Sequence, residues 1–150
     1  MKMVIKLVYA LLFLLTVSNC RSDEPTHLVV GNWQWLASSG GIGGFVHKSD
    51  PNKRVIVHFS EDGHYTITIN DTLASTGSYE LTTAKSIHDH KDRPALQISS
   101  TVNHIPDKPI QFGLYAIGPY VITASTVNEL GLSDNFYDGF GYTFRRVTDN

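Results

Sequence analysis

Between Leu28 and Thr148 no run of apolar residues repeats at helical spacing over three turns, and this confines the folded part of the chain to β structure. Val, Ile, Thr, Tyr and Phe fill short segments cut by clusters of Gly, Asp, Asn and Pro, the pattern of strands separated by turns. Strands are predicted over Leu28–Ser38, Arg54–Ser60, His64–Asn70, Ser75–Thr82, Ala95–Val102, Ile110–Ile117, Tyr120–Ala124 and Gly139–Val147. Glu61-Asp62-Gly63 is a hairpin turn because Gly supplies the positive φ such turns need. In His64–Asn70, Tyr65, Ile67 and Ile69 alternate with His64, Thr66 and Thr68, the period of a strand buried on one face. Asn70-Asp71-Thr72 and Gly118-Pro119 read as turns, and Thr83–Pro94 and the stretch between Ala124 and Gly139 as longer polar loops. Eight short strands joined mostly by hairpins predict an all-β, eight-stranded antiparallel up-and-down barrel. Closure of such a barrel removes the edges that template aggregation. A two-sheet sandwich fits less well, because nothing in the sequence calls for long crossovers.

Upstream, Lys2 and Lys6 precede an apolar stretch from Leu7 to Val17, which ends in Val17-Ser18-Asn19 and the single cysteine, Cys20. The stretch is shorter than the ~20 residues that span a bilayer and has the size of a signal-peptide core. With its small or polar exit and cysteine it resembles the lipobox of bacterial lipoproteins. That resemblance implies cleavage before Cys20 and acylation of its sulfur and new amino group, a modification that requires a thiol nucleophile. The expected organisation is a signal peptide over residues 1–19, a lipidated tether over 20–27 and a barrel domain over 28–150. Arg21-Ser22-Asp23-Glu24-Pro25 resembles the acidic export signal of surface lipoproteins in Bacteroidetes and reads equally as a solvated tether.

Charge narrows the partners. The chain holds 12 lysines and arginines against 14 acids; without Lys2 and Lys6 the balance is 10 against 14, a formal charge of −4. Such a domain has no electrostatic footprint for nucleic acid or for anionic lipid. Membrane attachment is therefore expected through the N-terminal acyl chains. With one cysteine, no disulfide forms within the domain, and its core must hold the fold unaided.

Gly31-Asn32-Trp33 on the first predicted strand and Phe140 to Val147 on the last carry a family resemblance. In lipocalins a Gly-x-Trp places an indole across the closed end of the barrel, and an arginine from near its end covers it. The alternation of Phe140, Tyr142, Phe144 and Arg146 makes Arg146 the partner of Trp33 and turns Arg145 to solvent. A guanidinium over an indole contributes about 0.5–2 kcal/mol, and Gly31 lets the strand bend. More closely, the chain resembles the lipocalin-like domains of Bacteroidetes lipoproteins. The matching motifs are Gly31-Asn32-Trp33-Gln34-Trp35, the glycines from Gly40 to Gly44, Phe59-Ser60-Glu61-Asp62-Gly63-His64-Tyr65, Gly77-Ser78-Tyr79 and Tyr142 to Val147. The chain lacks the Thr-Asp-Tyr motif and disulfide pair of animal lipocalins, so the closed-end lock carries over and their ligands do not.

Other chemistry is sparse. His88-Asp89-His90 offers two imidazoles where zinc needs three or four ligands, and His58 and His64 flank the Glu61–Gly63 turn as surface residues facing one another. Asp134, Asn135 and Asp138, with Glu129, do not follow calcium-loop spacing. No Gly-x-Ser-x-Gly elbow is present, and Gly40–Gly44 lacks the Lys-Ser/Thr of a phosphate loop. No enzyme, metal site or cofactor is expected. Asp71-Thr72-Leu73 resembles the Asp-Ser/Thr-aliphatic site at which Bacteroidetes O-glycosylate exported proteins, which makes Thr72 a candidate for glycosylation.

The resemblance implies an outer-membrane lipoprotein of a bacterial envelope, facing the periplasm or the cell surface. The leading expectation is a binding protein for a small apolar or amphipathic ligand, lined by inward-facing Val57, Phe59, Ile67, Ile98, Phe112, Leu114 and Tyr142. The alternative is a filled barrel whose loops, with Tyr137, His88 and His90, bind an envelope protein or a glycan as an inhibitor or accessory module.

Overall fold

The computed structural model describes residues 28–105, 114 and 118–148. Nine strands make one antiparallel sheet: β1 (Gly31–Gly40), β2 (Phe45–Lys48), β3 (Val55–Phe59), β4 (His64–Ile69), β5 (Thr72–Lys85), β6 (Asp92–Asn103), β7 (Pro119–Ser125), β8 (Glu129–Asp134) and β9 (Phe140–Val147). Each pairs with the next in sequence order, except that β2 and β3 both lie against β1, and β9 returns to β1. β3 takes residues 31–34 of β1 and β2 takes residues 37–40, so the two form one wall position interrupted by residues 49–54. The result is an eight-stranded closed up-and-down barrel, with no helix among the described residues.

Several boundaries differ from the sequence expectation. Phe45–Lys48 forms a strand after the glycine-rich turn, and Glu129–Asp134, expected as loop, is a wall strand between β7 and β9. β5 and β6 run on to Lys85 and from Asp92, which leaves only residues 86–91 as their turn. Pro119 opens β7 rather than closing a turn, at a first strand position where a missing N–H is tolerated. The predicted strand Ile110–Ile117 lies outside the described residues, apart from Leu114.

Closure rests on β1 and β9, which pair from Asn32↔Val147 to Gly40↔Phe140 with a bulge between Trp35 and Ala37. The extra residue rephases the pleat: Trp33 and Trp35 point inward before it and Ser38 after it. The core is one cluster that includes Trp33, Trp35, Phe59, Tyr65, Tyr120 and Phe144, all fully buried. Phe59 meets Tyr79 edge-on at 5.0 Å between ring centroids. Ala95 and Val121 are buried yet outside this cluster. Val121 borders a depression under the β5–β6 turn, shared by Ser86, His88 and Asp89 of that turn, Arg93 of β6, and Ile122, Thr123 and Ser133. Asn135 ties that turn down: its side-chain oxygen accepts from the Ile87 amide (3.0 Å) and its amide donates to the Lys85 carbonyl (2.9 Å).

Candidate functional site

At the barrel end where β1 begins and β9 finishes, the structure brings Gly31, Trp33 and Arg146 together. The Arg146 guanidinium carbon lies 4.2 Å from the Trp33 ring centroid. Its nitrogens donate to three backbone carbonyls: Nε to Val127 (2.7 Å), Nη1 to Val30 (3.0 Å) and Nη2 to Leu28. The Trp33 indole N–H donates to the Val29 carbonyl at 2.6 Å. One side chain thus fastens the entering segment, the β7–β8 turn and the last strand to each other. Gly31 adopts φ +130°, and a Cβ there would sit 2.4 Å from Arg146 Nη1, so both backbone and guanidinium require glycine. Arg145 is exposed, with Nη2 3.4 Å from the Gln34 side-chain oxygen. Gly31, Trp33 and Arg146 form a structural lock at this end.

Most of the residues expected to line a pocket face the barrel interior. Val57, Phe59, Ile67, Ile98 and Leu114 are fully buried members of the central cluster. None of them borders the depressions beside Tyr142, beside Asp134 or under the β5–β6 turn. The Leu114 carbonyl accepts from the Thr101 hydroxyl at 3.1 Å. Phe112 and Cys20 lie outside the described residues. Tyr142 stands apart: it is half-buried and, with Leu130, Leu132 and Ser39, borders an open depression of about 270 Å3.

The opposite end is different in character. The β1–β2 turn abuts the β8–β9 loop, with the Gly41 amide donating to the Gly139 carbonyl (3.2 Å) and the His47 and Phe140 rings 6.2 Å apart. On these two neighbouring segments Ile42 is 91% exposed, Tyr137 77%, Val46 61% and Phe45 58%, with Phe136 beside Tyr137 at 43%. β2 is exposed along its whole length. Apolar side chains concentrated on a rim, rather than scattered singly, mark a contact surface.

Behind the rim is one buried acid. Asp134, 4% exposed, ends β8 on the same face as Leu130 and Leu132. Its Oδ2 accepts from the Phe140 amide (2.8 Å) and lies 3.3 Å from the Tyr142 hydroxyl, while Oδ1 is buried without a hydrogen-bond partner. Burial pushes its pKa up, against the opposing pull of those two donors. The sequence expectation placed Asp134 in a loop; the alternation Leu130, Leu132, Asp134 is the signal that it faces inward from a strand.

The remaining polar candidates separate. Asp89 pairs with Arg93, whose hydrogen bonds hold the carboxyl down to about 2, and His88 and His90 are exposed beside it. No group of three metal-ligating side chains occurs among the described residues. His58 does not face His64 as expected: it stands opposite Thr66, and its Nδ1 lies 2.8 Å from the Asn32 side-chain oxygen. Thr72 is exposed as the first residue of β5, after the Asn70-Asp71 turn. Comparison with known protein families, curated proteins and solved structures returned no match.

Proposed function

We propose that the chain is a lipid-anchored, non-catalytic binding module of a bacterial outer membrane, built on a lipocalin-like barrel, that meets a protein partner through its exposed rim. The observation that carries this reading is the concentration of Ile42, Phe45, Val46, Phe136 and Tyr137 on two adjoining segments at one barrel end. Leu28, held by Arg146, lies at the other end. From an acylated Cys20 to Leu28, eight residues reach at most about 28 Å. An anchor there keeps the locked end near the bilayer and turns the rim away from it. In this arrangement the buried aromatic and aliphatic cluster serves as scaffold that fixes the wall strands.

A small amphipathic ligand is the second reading, favoured by the depression beside Tyr142, where Leu130 and Leu132 provide apolar surface and Ser39 and Ser133 polar surface.

The two readings separate in the native host. A photo-crosslinking amino acid placed at Val46 or Tyr137 is expected to yield a discrete protein adduct, and the same group at Asn128, exposed at the locked end, is not. Adducts from all three positions, or from none, overturn the rim reading. Native mass spectrometry of the purified protein then reads the second: a bound mass that is lost on denaturation identifies a small ligand.

A further inference from the structure

Among the described residues, Asp134 is the one buried side chain that is ionisable at neutral pH and carries an oxygen without a hydrogen-bond partner. Oδ2 is accounted for, since the Phe140 amide and the Tyr142 hydroxyl hold it and thereby close the β8–β9 loop. Oδ1 does nothing for the fold. Leaving it buried and unpaired is costly, because a carboxyl removed from water loses hydration that nothing replaces. Neither partner of Oδ2 supplies a positive charge. Asp134 also borders a depression of about 180 Å3, whose other walls include Tyr120, Phe136 and Asn135. At about 30 Å3 for each water in the liquid, that volume is the size of a small organic molecule. Tyr120 is buried and fixed edge-on against Tyr142, 6.1 Å between ring centroids. Phe136 is a partly exposed ring on the β8–β9 loop, at the outer side of the depression.

A carboxyl oxygen lacking a donor, with aromatic rings beside it, matches one chemical class. We propose that this depression binds the protonated amino group of a small ligand, whose N–H donates to Asp134 Oδ1 while Tyr120 and Phe136 flank its carbon skeleton. The ammonium supplies the missing donor and charge together, and aromatic walls add attraction for a cation. Burial, which raises the carboxyl's pKa, is opposed by a bound cation, so ligand and ionised Asp134 stabilise each other. The site shares Phe136 with the rim, yet amine binding is read on the isolated protein, so its failure and the failure of the rim reading are distinguishable.

The test is calorimetric titration of the full chain in nonionic detergent at neutral pH with benzylammonium chloride, and with benzyl alcohol as its uncharged counterpart. Saturable binding of benzylammonium, little or none of benzyl alcohol, and an affinity about ten- to a hundredfold weaker in Asp134→Asn are expected. Equal binding of both probes, equal affinity in wild type and variant, or no saturation with wild type overturns the proposal. If Asp134→Asn does not fold, Phe136→Ala decides: the carboxyl stays, one aromatic wall goes, and the affinity must fall several-fold. An unchanged affinity in that variant also overturns it.

Discussion

Arg146 spends its donors on the carbonyls of Leu28, Val30 and Val127 while its face lies on Trp33, and each contact secures a different piece of chain. Replacing it with alanine removes the cation–π contact and strands these carbonyls, a cost of about 3 kcal/mol by urea unfolding. Gly31→Ala is destabilising for two reasons, backbone strain at φ +130° and collision with Arg146 Nη1. Only the collision disappears once Arg146 is alanine. The double variant is therefore expected to be more stable than the sum of the singles implies, and strictly additive losses would show that the two residues do not meet. Asp134 gives a pH signature. Its folded pKa is raised, so its contribution to stability is whole below the ordinary value of 3.8 and is lost as pH climbs through the raised folded value. The melting temperature of Asp134→Asn relative to wild type should accordingly rise between acidic and neutral pH. Parallel profiles for the two proteins would mean that the carboxyl titrates normally.

At the scale of elements, turns carry as much information as strands. Asn70 and Asp71 both adopt positive φ, 48° and 63°, between the paired Ile69 and Thr72, the geometry that matches the twist of a two-residue hairpin. Asn70 also reaches back: its side-chain oxygen accepts from the Arg54 amide (2.8 Å) and its amide donates to the Asn52 carbonyl (3.1 Å). It thus pins the 49–54 excursion that splits one wall position into β2 and β3. Asn70→Ala loses both bonds and strains the turn, so a loss of about 2 kcal/mol is expected, with faster hydrogen exchange concentrated at Arg54–Val57. Exchange unchanged there would place the restraint elsewhere. This hairpin was legible in the sequence because Tyr65, Ile67 and Ile69 alternate cleanly and the turn residues follow. β8 was not, because Glu-Leu-Gly-Leu-Ser-Asp has little intrinsic preference for a strand. Its neighbours β7 and β9 impose the conformation by pairing along both edges. Gly131 is needed there, as a Cβ would lie 2.5 Å from the Thr123 hydroxyl. The lock of Gly31, Trp33 and Arg146 could be named in advance because it follows from motif and alternation. The rim could not, since it depends on how distant segments close around one another; the alternation Leu130, Leu132, Asp134 marked an inward-facing acid, but not its unpartnered oxygen.

For the molecule as a whole, the decisive contact joins its two ends. Asn32 pairs with Val147 and Gly40 with Phe140, so closure links residues separated by nearly the entire folded chain. Every other wall contact is between strands close in sequence, and this one therefore bears most of the loop-closure entropy. The same pairing puts Leu28 and Thr148 at one barrel end, near enough for a short glycine linker. A circular permutant joined there and opened at Pro51–Asn52, both exposed in the excursion between β2 and β3, keeps every strand and every pair. It makes β1–β9 a local hairpin and hands the long-range closure to β1 and β3, which pair from Gly31↔Phe59 to Gln34↔Ile56 and now come from opposite ends of the chain. The closure entropy of the whole barrel is nearly unchanged, so the permutant's stability by urea unfolding is expected within about 1 kcal/mol of the parent. What moves is the order of formation: β1–β9 can pair early, and β1–β3 only after the rest of the wall is in place. Val57→Ala, opposite Trp33 in β3, is therefore expected to slow stopped-flow refolding less in the permutant than in the parent, its cost appearing instead as faster unfolding. Equal slowing in both chains would show that β3 joins β1 at the same stage whichever pair closes the barrel.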